Sequence, residues 1–263
     1  MGNFFTGPIS TIDQKLLNIG RDIGGRLGFG GQYALSSGAG TTNDSSQANG
    51  SFNINMNGGT AAGGYAKIGY YDPLETDFFY GASSIDYSRR IRFAFQGMMY
   101  IGSTNSRIRV VFGGTGNSTA APAADANGLT VKGFGVEFFV VSGLVQARLI
   151  GFNGSYLTPT SYTTLTNGFA SVANSNRYFA CMIESDGTGN INLYGANSST
   201  VRNISISPTP LLNLTGGPTN STSSNRFGPE IQLVNNSTVA PTAGSQSVAL
   251  KLLTNDNWLL DVQ

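Results

Sequence analysis

Residues 133–152 read GFGVEFFVVSGLVQARLIGF, two mostly apolar runs that meet at Ser142-Gly143. Each run has the length of a strand, and Ser-Gly between them is a plausible hairpin turn. One charge, Glu137, interrupts the first run, and Phe138 and Phe139 follow it. That carboxylate belongs either to a sugar-binding or catalytic site or to a structural strand.

The neighbouring sequence repeats the strand pattern. In RRIRFAFQG, alternation puts Ile91, Phe93 and Phe95 on one face and Arg90, Arg92 and Ala94 on the other. In SRIRVVFGG, Ile108, Val110 and Phe112 turn inward while Arg107 and Arg109 turn outward. RYFACMIES, NINLYG, VRNISIS, EIQLVN and VALKLLT follow as further short strands, and Asp186-Gly187-Thr188-Gly189-Asn190 reads as a Gly-rich hairpin loop. Regularly spaced strands with turn signals predict an all-β fold, an antiparallel β-sandwich or jelly roll, over residues 50–263.

Residues 1–49 read differently. Ile12, Leu16, Ile19 and Ile23 form one helical stripe, Thr11 with Gln14 makes a capping box, and Gly24-Gly25 ends the segment. GFGGQYALSSGAGTTNDSSQANG after it reads as a flexible Gly/Ser-rich tether. So short a helix is marginal alone and must pack on something. It either folds back on its own sandwich or docks on a neighbouring subunit as an assembly anchor.

Composition narrows the function. Charged residues make up 11% of the 263, against about 25% in ordinary domains, and Gly is 36 residues, about twice its usual share. Histidine is absent, which removes Ser-His-Asp and Cys-His catalysis and His-ligated zinc. Cys181 is the single cysteine, so no internal disulfide forms and a buried inert thiol is expected. A net charge of +1 gives no global field for nucleic acid. No run of 18 apolar residues is present for a membrane span, and no secretory signal is read at the start. MGNFFT fits a myristoylation pattern, which short motifs in such a composition match by chance. Asp186, Thr188 and Asn190 alternate oxygen ligands as weak calcium loops do, but Asp-Gly is first of all a turn signal.

Three stretches resemble the concanavalin A-like lectin/glucanase sandwich, which includes laminin-G modules and legume lectins: GFGVEFFVV, FACMIESDGTGNINLYG and SVALKLLTNDNWLLDV. The resemblance spans about residues 85–255 and implies a concanavalin A-like sandwich. It also implies a divalent metal held by Glu137 and an aspartate two residues later, but Phe139 stands at that second position and a phenyl ring cannot ligate calcium. The Glu-x-Asp-x-Glu strand of the glucanases has no counterpart, and glycoside hydrolysis takes two carboxylates flanking the bond. Glu137, Glu184 and Asp186 could meet only through the tertiary fold. Glu137 is therefore read as structural and paired with an arginine, and neither catalysis nor a cofactor is expected.

The basic residues are mostly arginine, with lysine only at 15, 67, 132 and 251. If the strands at 90–95 and 107–112 pair, Arg90, Arg92, Arg107 and Arg109 share one face, either solvated or suited to an interface. Low charge, no catalytic set and a helix on a tether lead to a non-enzymatic virion structural protein of a bacteriophage: a decoration, cement, spike or tail subunit. Its expected place is the virion, after synthesis in the host cytoplasm. It would assemble as a homo-oligomer, a trimer, with other virion proteins, through Ile12, Leu16, Ile19, Ile23 and the arginines; no nucleic acid or membrane partner is expected. The alternative is a carbohydrate-binding, host-receptor-binding lectin-like module, touching a host surface glycan through Tyr156, Tyr162, Tyr194 and Trp258.

Overall fold

The computed structural model describes residues 33–38, 41–44, 52–57, 59–71, 87–101, 104–113, 121–123, 129–164, 177–195, 209–220, 227–241, 247–252 and 258–262. Among them are fourteen strands: β1 Tyr33–Gly38, β2 Thr41–Asp44, β3 Phe52–Asn57, β4 Tyr65–Tyr71, β5 Ile91–Tyr100, β6 Ser106–Phe112, β7 Gly133–Val141, β8 Leu144–Phe152, β9 Arg177–Ser185, β10 Asn190–Gly195, β11 Leu212–Thr215, β12 Phe227–Asn235, β13 Ser247–Leu252 and β14 Trp258–Val262. Six form one sheet in the order β1-β4-β12-β6-β7-β8. Seven form a second in the order β11-β10-β9-β5-β13-β3-β2, and β14 joins it beside β5. The recorded strand pairs are antiparallel, and the fold is an all-β antiparallel sandwich.

The period of two that betrays each strand also builds the core. Ile108, Val110 and Phe112 of β6 and Phe134, Val136, Phe138 and Val140 of β7 face inward. Cys181 and Ile183 of β9 and Ile191 and Leu193 of β10 meet them from the other sheet. Cys181 is buried, and burial pushes its thiol well up, as an inert core residue requires. The Ser142-Gly143 turn joins β7 to β8 with φ of 52° and 79°, two left-handed residues whose twist matches the flanking strands. The loop at 186–190 is a hairpin between β9 and β10.

Two expectations are corrected. Residues 33–38 and 41–44 are not a tether: β1 pairs with β4 at the edge of one sheet, and β2 pairs with β3 at the edge of the other. An edge strand is hydrogen-bonded on one side only and can be short and rich in Ser, Thr and Gly, so its composition passes for a linker. At the other end of the chain, β13 (Ser247–Leu252) pairs with β3 and β14 (Trp258–Val262) with β5.

The second correction concerns the arginines. β5 and β6 do not pair: β5 lies between β9 and the pair β13 and β14, while β6 lies between β12 and β7. They sit in opposite sheets, with Ile91 and Ile108 in one shared core. Two strands with matching apolar faces can lie side by side or face to face, and alternation is the same in both cases. Here they face each other, so Arg92 and Arg109 point away from opposite sides of the sandwich. The helical stripe Ile12, Leu16, Ile19 and Ile23 lies outside the described residues. Among the described residues, no helix is long and apolar enough to cross a membrane.

Candidate functional site

The outer face of the six-stranded sheet carries a row of polar residues at one level. Lys67 of β4 is opposite Gln232 of β12, Gln232 opposite Arg109 of β6, Arg109 opposite Glu137 of β7, and Glu137 opposite Arg148 of β8. Lys67, Gln232, Arg109 and Glu137 are fully buried or nearly so, as is Glu230 one step along β12. Buried polar groups are tolerated only when bonded to one another, and these are. Lys67 Nζ lies 3.8 Å from Glu230 Oε2. Gln232 Nε2 donates to Glu230 Oε1 at 2.6 Å, and Arg109 Nη1 donates to Gln232 Oε1 at 3.4 Å and to the carbonyl of Ala123 at 2.5 Å.

Glu137 is the focus. Arg109 Nε reaches its Oε2 at 2.7 Å, and Arg148 holds Oε1 with Nε at 2.9 Å and Nη2 at 2.8 Å. Arg107 Nε stands 3.9 Å from Oε2, and the Tyr162 hydroxyl donates to Oε1 at 2.5 Å. Burial alone would raise the Glu137 carboxyl. The guanidinium groups of Arg109, Arg107 and Arg148 and the Tyr162 hydrogen bond outweigh it and hold the carboxyl below its usual range. Burial and the adjacent carboxylate push the Tyr162 phenol up, so it stays a donor.

Tyr162 arrives on the chain that follows β8. After Asn153–Ser155 the backbone doubles back along the outer edge of β8, with bridges Phe152 to Tyr156 and Ala147 to Thr163. This return segment places Tyr162 over the face. Its ring stacks on Phe139 with centroids 5.4 Å apart, Arg148 lies 4.6 Å over it, and Arg107 lies 5.3 Å over Phe139. Farther along β8, Tyr156 packs edge-on against Phe152 at 5.1 Å and is 54% exposed.

A smaller clasp occupies the outer face of the other sheet. Glu184 accepts from Arg92 Nε at 2.6 Å and is paired with Arg90 Nη2 at 2.8 Å, with the Tyr194 hydroxyl at 3.3 Å. Tyr194 is buried, and burial with the adjacent Glu184 pushes its phenol up to about 12.

The structure thus brings Arg107, Arg109 and Tyr162 together around Glu137, and brings Arg90, Arg92 and Tyr194 together around Glu184. Tyr156 is at the surface near the first group. The side chain of Trp258 lies outside the described residues, although its backbone pairs with Phe95. Glu137 and Glu184 stand on opposite outer faces, and Asp186 sits in the 186–190 turn, so the three do not meet. Arg148, Gln232, Glu230 and Lys67 had escaped sequence reading. Arg148 had a signal: a two-residue turn at 142–143 fixes the register of the hairpin, and it sets Arg148 opposite Glu137.

The divalent metal implied by the lectin resemblance does not fit. Both Glu137 oxygens are taken by arginine and tyrosine donors, and cations surround the place a metal would occupy. Among the described residues no three His, Cys, Asp or Glu side chains gather. Asp186 spends its oxygens on the backbone and side chains of Thr188 and Asn190, which is a self-closed turn. A chelator should therefore leave the thermal midpoint unchanged within 1–2 °C; calorimetry with and without chelator checks this, and a drop of about 5 °C, roughly 2 kcal/mol, would reveal a structural metal.

No family model and no curated protein matches the chain. Solved structures do. The exoplasmic/lumenal domain of VIP36 bound to calcium and Man3GlcNAc is 8% identical, with a TM-score of 0.44, 84% of this chain and 86% of that chain covered. The Emp46p carbohydrate recognition domain in its potassium-bound form is 11% identical, with a TM-score of 0.42 and coverage of 87% and 88%. An alginate lyase from Pseudomonas aeruginosa is 9% identical, with a TM-score of 0.41 and coverage of 82% and 84%. At this level of superposition the likenesses assign no residue and no ligand.

Proposed function

We propose that the chain is a non-enzymatic saccharide-binding sandwich whose binding surface is the outer face of β7 and β8 with the return segment 156–164. One observation carries the reading: two aromatic groups, Phe139–Tyr162 and Phe152–Tyr156, lie along one strand beside charged and amide side chains. Arg148 and Phe152 are four residues apart on β8, about 13 Å at ~3.3 Å per residue, with Ile150 between them buried beneath Leu129. Aromatic faces cover the apolar side of a pyranose, and planar polar groups take its hydroxyls. Gln146 and Thr164, joined at 3.2 Å, supply such groups next to Tyr162.

A hydrolytic role has little support. Glu137 is held ionised by its cations and cannot serve as a general acid. The virion-subunit reading has its motive in residues 12–23, outside the described residues, and no described contact favours it over saccharide binding.

A glycan array followed by calorimetry on the hits tests the proposal. Binding should appear, and Tyr156→Ala or Phe139→Ala should weaken it about tenfold or more, the scale of one lost aromatic contact. Silence across neutral, acidic and sulfated glycans, or hits indifferent to both substitutions, would refute it.

A further inference from the structure

Three guanidinium groups meet at Glu137. Arg107, Arg109 and Arg148 converge on one carboxylate, while Glu230, the other acid of the row, lies against Lys67. Arg109 is sealed in, but the side chains of Arg107 and Arg148 keep 13% and 19% exposure beside the aromatic stack. Arg148 commits its Nε and Nη2 edge to Glu137 and its flat face to Tyr162, which leaves its Nη1 edge without a hydrogen bond among the described residues. A guanidinium has five donors in a fixed fork, and a free edge of that fork matches a carboxylate or sulfate oxygen pair. The guanidinium is also pre-oriented, because Glu137 fixes its plane and Tyr162 its face, so little rotamer freedom is lost when an anion docks.

Resting on the saccharide reading, we propose that the ligand is an acidic saccharide whose anionic group docks on Arg148, beside Arg107, while a neighbouring ring lies against Phe139 and Tyr162. A carboxylate on a uronic acid and a sulfate ester offer the same chemistry to Arg148. A neutral sugar offers the Nη1 edge of Arg148 only neutral acceptors, whose hydrogen bonds are weaker than those of an ionised oxygen.

The test compares three probes of one backbone: a uronic-acid oligosaccharide, its carboxyl-reduced neutral counterpart and a sulfated counterpart. Calorimetry should show at least one acidic form binding about tenfold or more tighter than the neutral one, with the advantage shrinking as salt rises. Which acidic form wins identifies the anion. Arg148→Gln should bring the acidic-to-neutral ratio close to one, and Arg148→Lys should restore part of it, with thermal midpoints measured alongside to confirm that both variants fold. Equal affinity for acidic and neutral probes overturns the acidic ligand and leaves saccharide binding standing. Absence of binding to every probe and on the wider array overturns both.

Discussion

Glu137→Gln should lower the unfolding free energy by about 3–5 kcal/mol, the cost of removing one partner from a buried ion pair. The reason is geometric. Glu137 and Arg109 are both fully buried and meet at 2.7 Å, and Arg107 and Arg148 face the same carboxylate. A neutral amide removes the carboxylate those cations share, and its own N–H groups point at donors. Urea melts at pH 7 check the magnitude. A companion pair distinguishes lost charge from lost shape: Glu137→Leu combined with Arg109→Met removes both buried charges and should recover a good part of what Glu137→Leu alone loses.

The same clasp sets an acid limit. The folded carboxyl of Glu137 lies below its unfolded value, which is about 4.3. Its contribution is therefore fully present above that unfolded value and is lost as pH falls through the lower folded one. Stability should fall steeply below about pH 4, and Glu137→Gln should flatten that slope. A variant within 1 kcal/mol of the parent, with an unchanged acid limb, would show that the clasp contributes nothing net.

Gly135→Val should be damaging on a similar scale, reaching or exceeding about 3 kcal/mol, the upper end for overpacked sites. Gly135 stands on the outer face of β7, where an added Cβ would meet the carbonyl oxygen of Val110 and, at 2.6 Å, the Cα and Cγ1 of Val111. Two of those atoms are backbone and cannot rotate away, so β6 and β7 would have to separate. Since Arg109 on β6 and Glu137 on β7 are a few ångströms along the same pair, the clasp would open with them. Gly143→Ala is the control. It has φ of 79° but meets nothing within 4 Å, so it should cost only the left-handed strain of about 1–2 kcal/mol. If Gly135→Val melts like that control, the close approach of β6 and β7 is not as described.

Much of the strand content was legible because alternation is a local property. Residues 133–152 declare two strands and their turn, and the turn fixes which residues face each other. Asp186-Gly187 likewise declares the second hairpin, since a turn's chemistry is written in the residues that make it. The edge strands at 33–44 were not legible, because a strand bonded on one side carries a weak apolar signal.

The site was legible only in its hairpin half. Glu137 announces itself as a charge in an apolar run, and Arg148 follows from the register across Ser142-Gly143. Arg109 comes to Glu137 only after the 113–132 connection brings β6 beside β7, and Gln232 and Lys67 are farther still in the chain. Alternation tells which way an arginine points within its own strand; it cannot tell which sheet holds that strand. By itself the sequence determined an antiparallel sandwich with one hairpin carrying a buried acid. The tertiary structure alone decided that the two arginine strands face each other across the core, because sheet assignment depends on long-range pairing that no local pattern encodes.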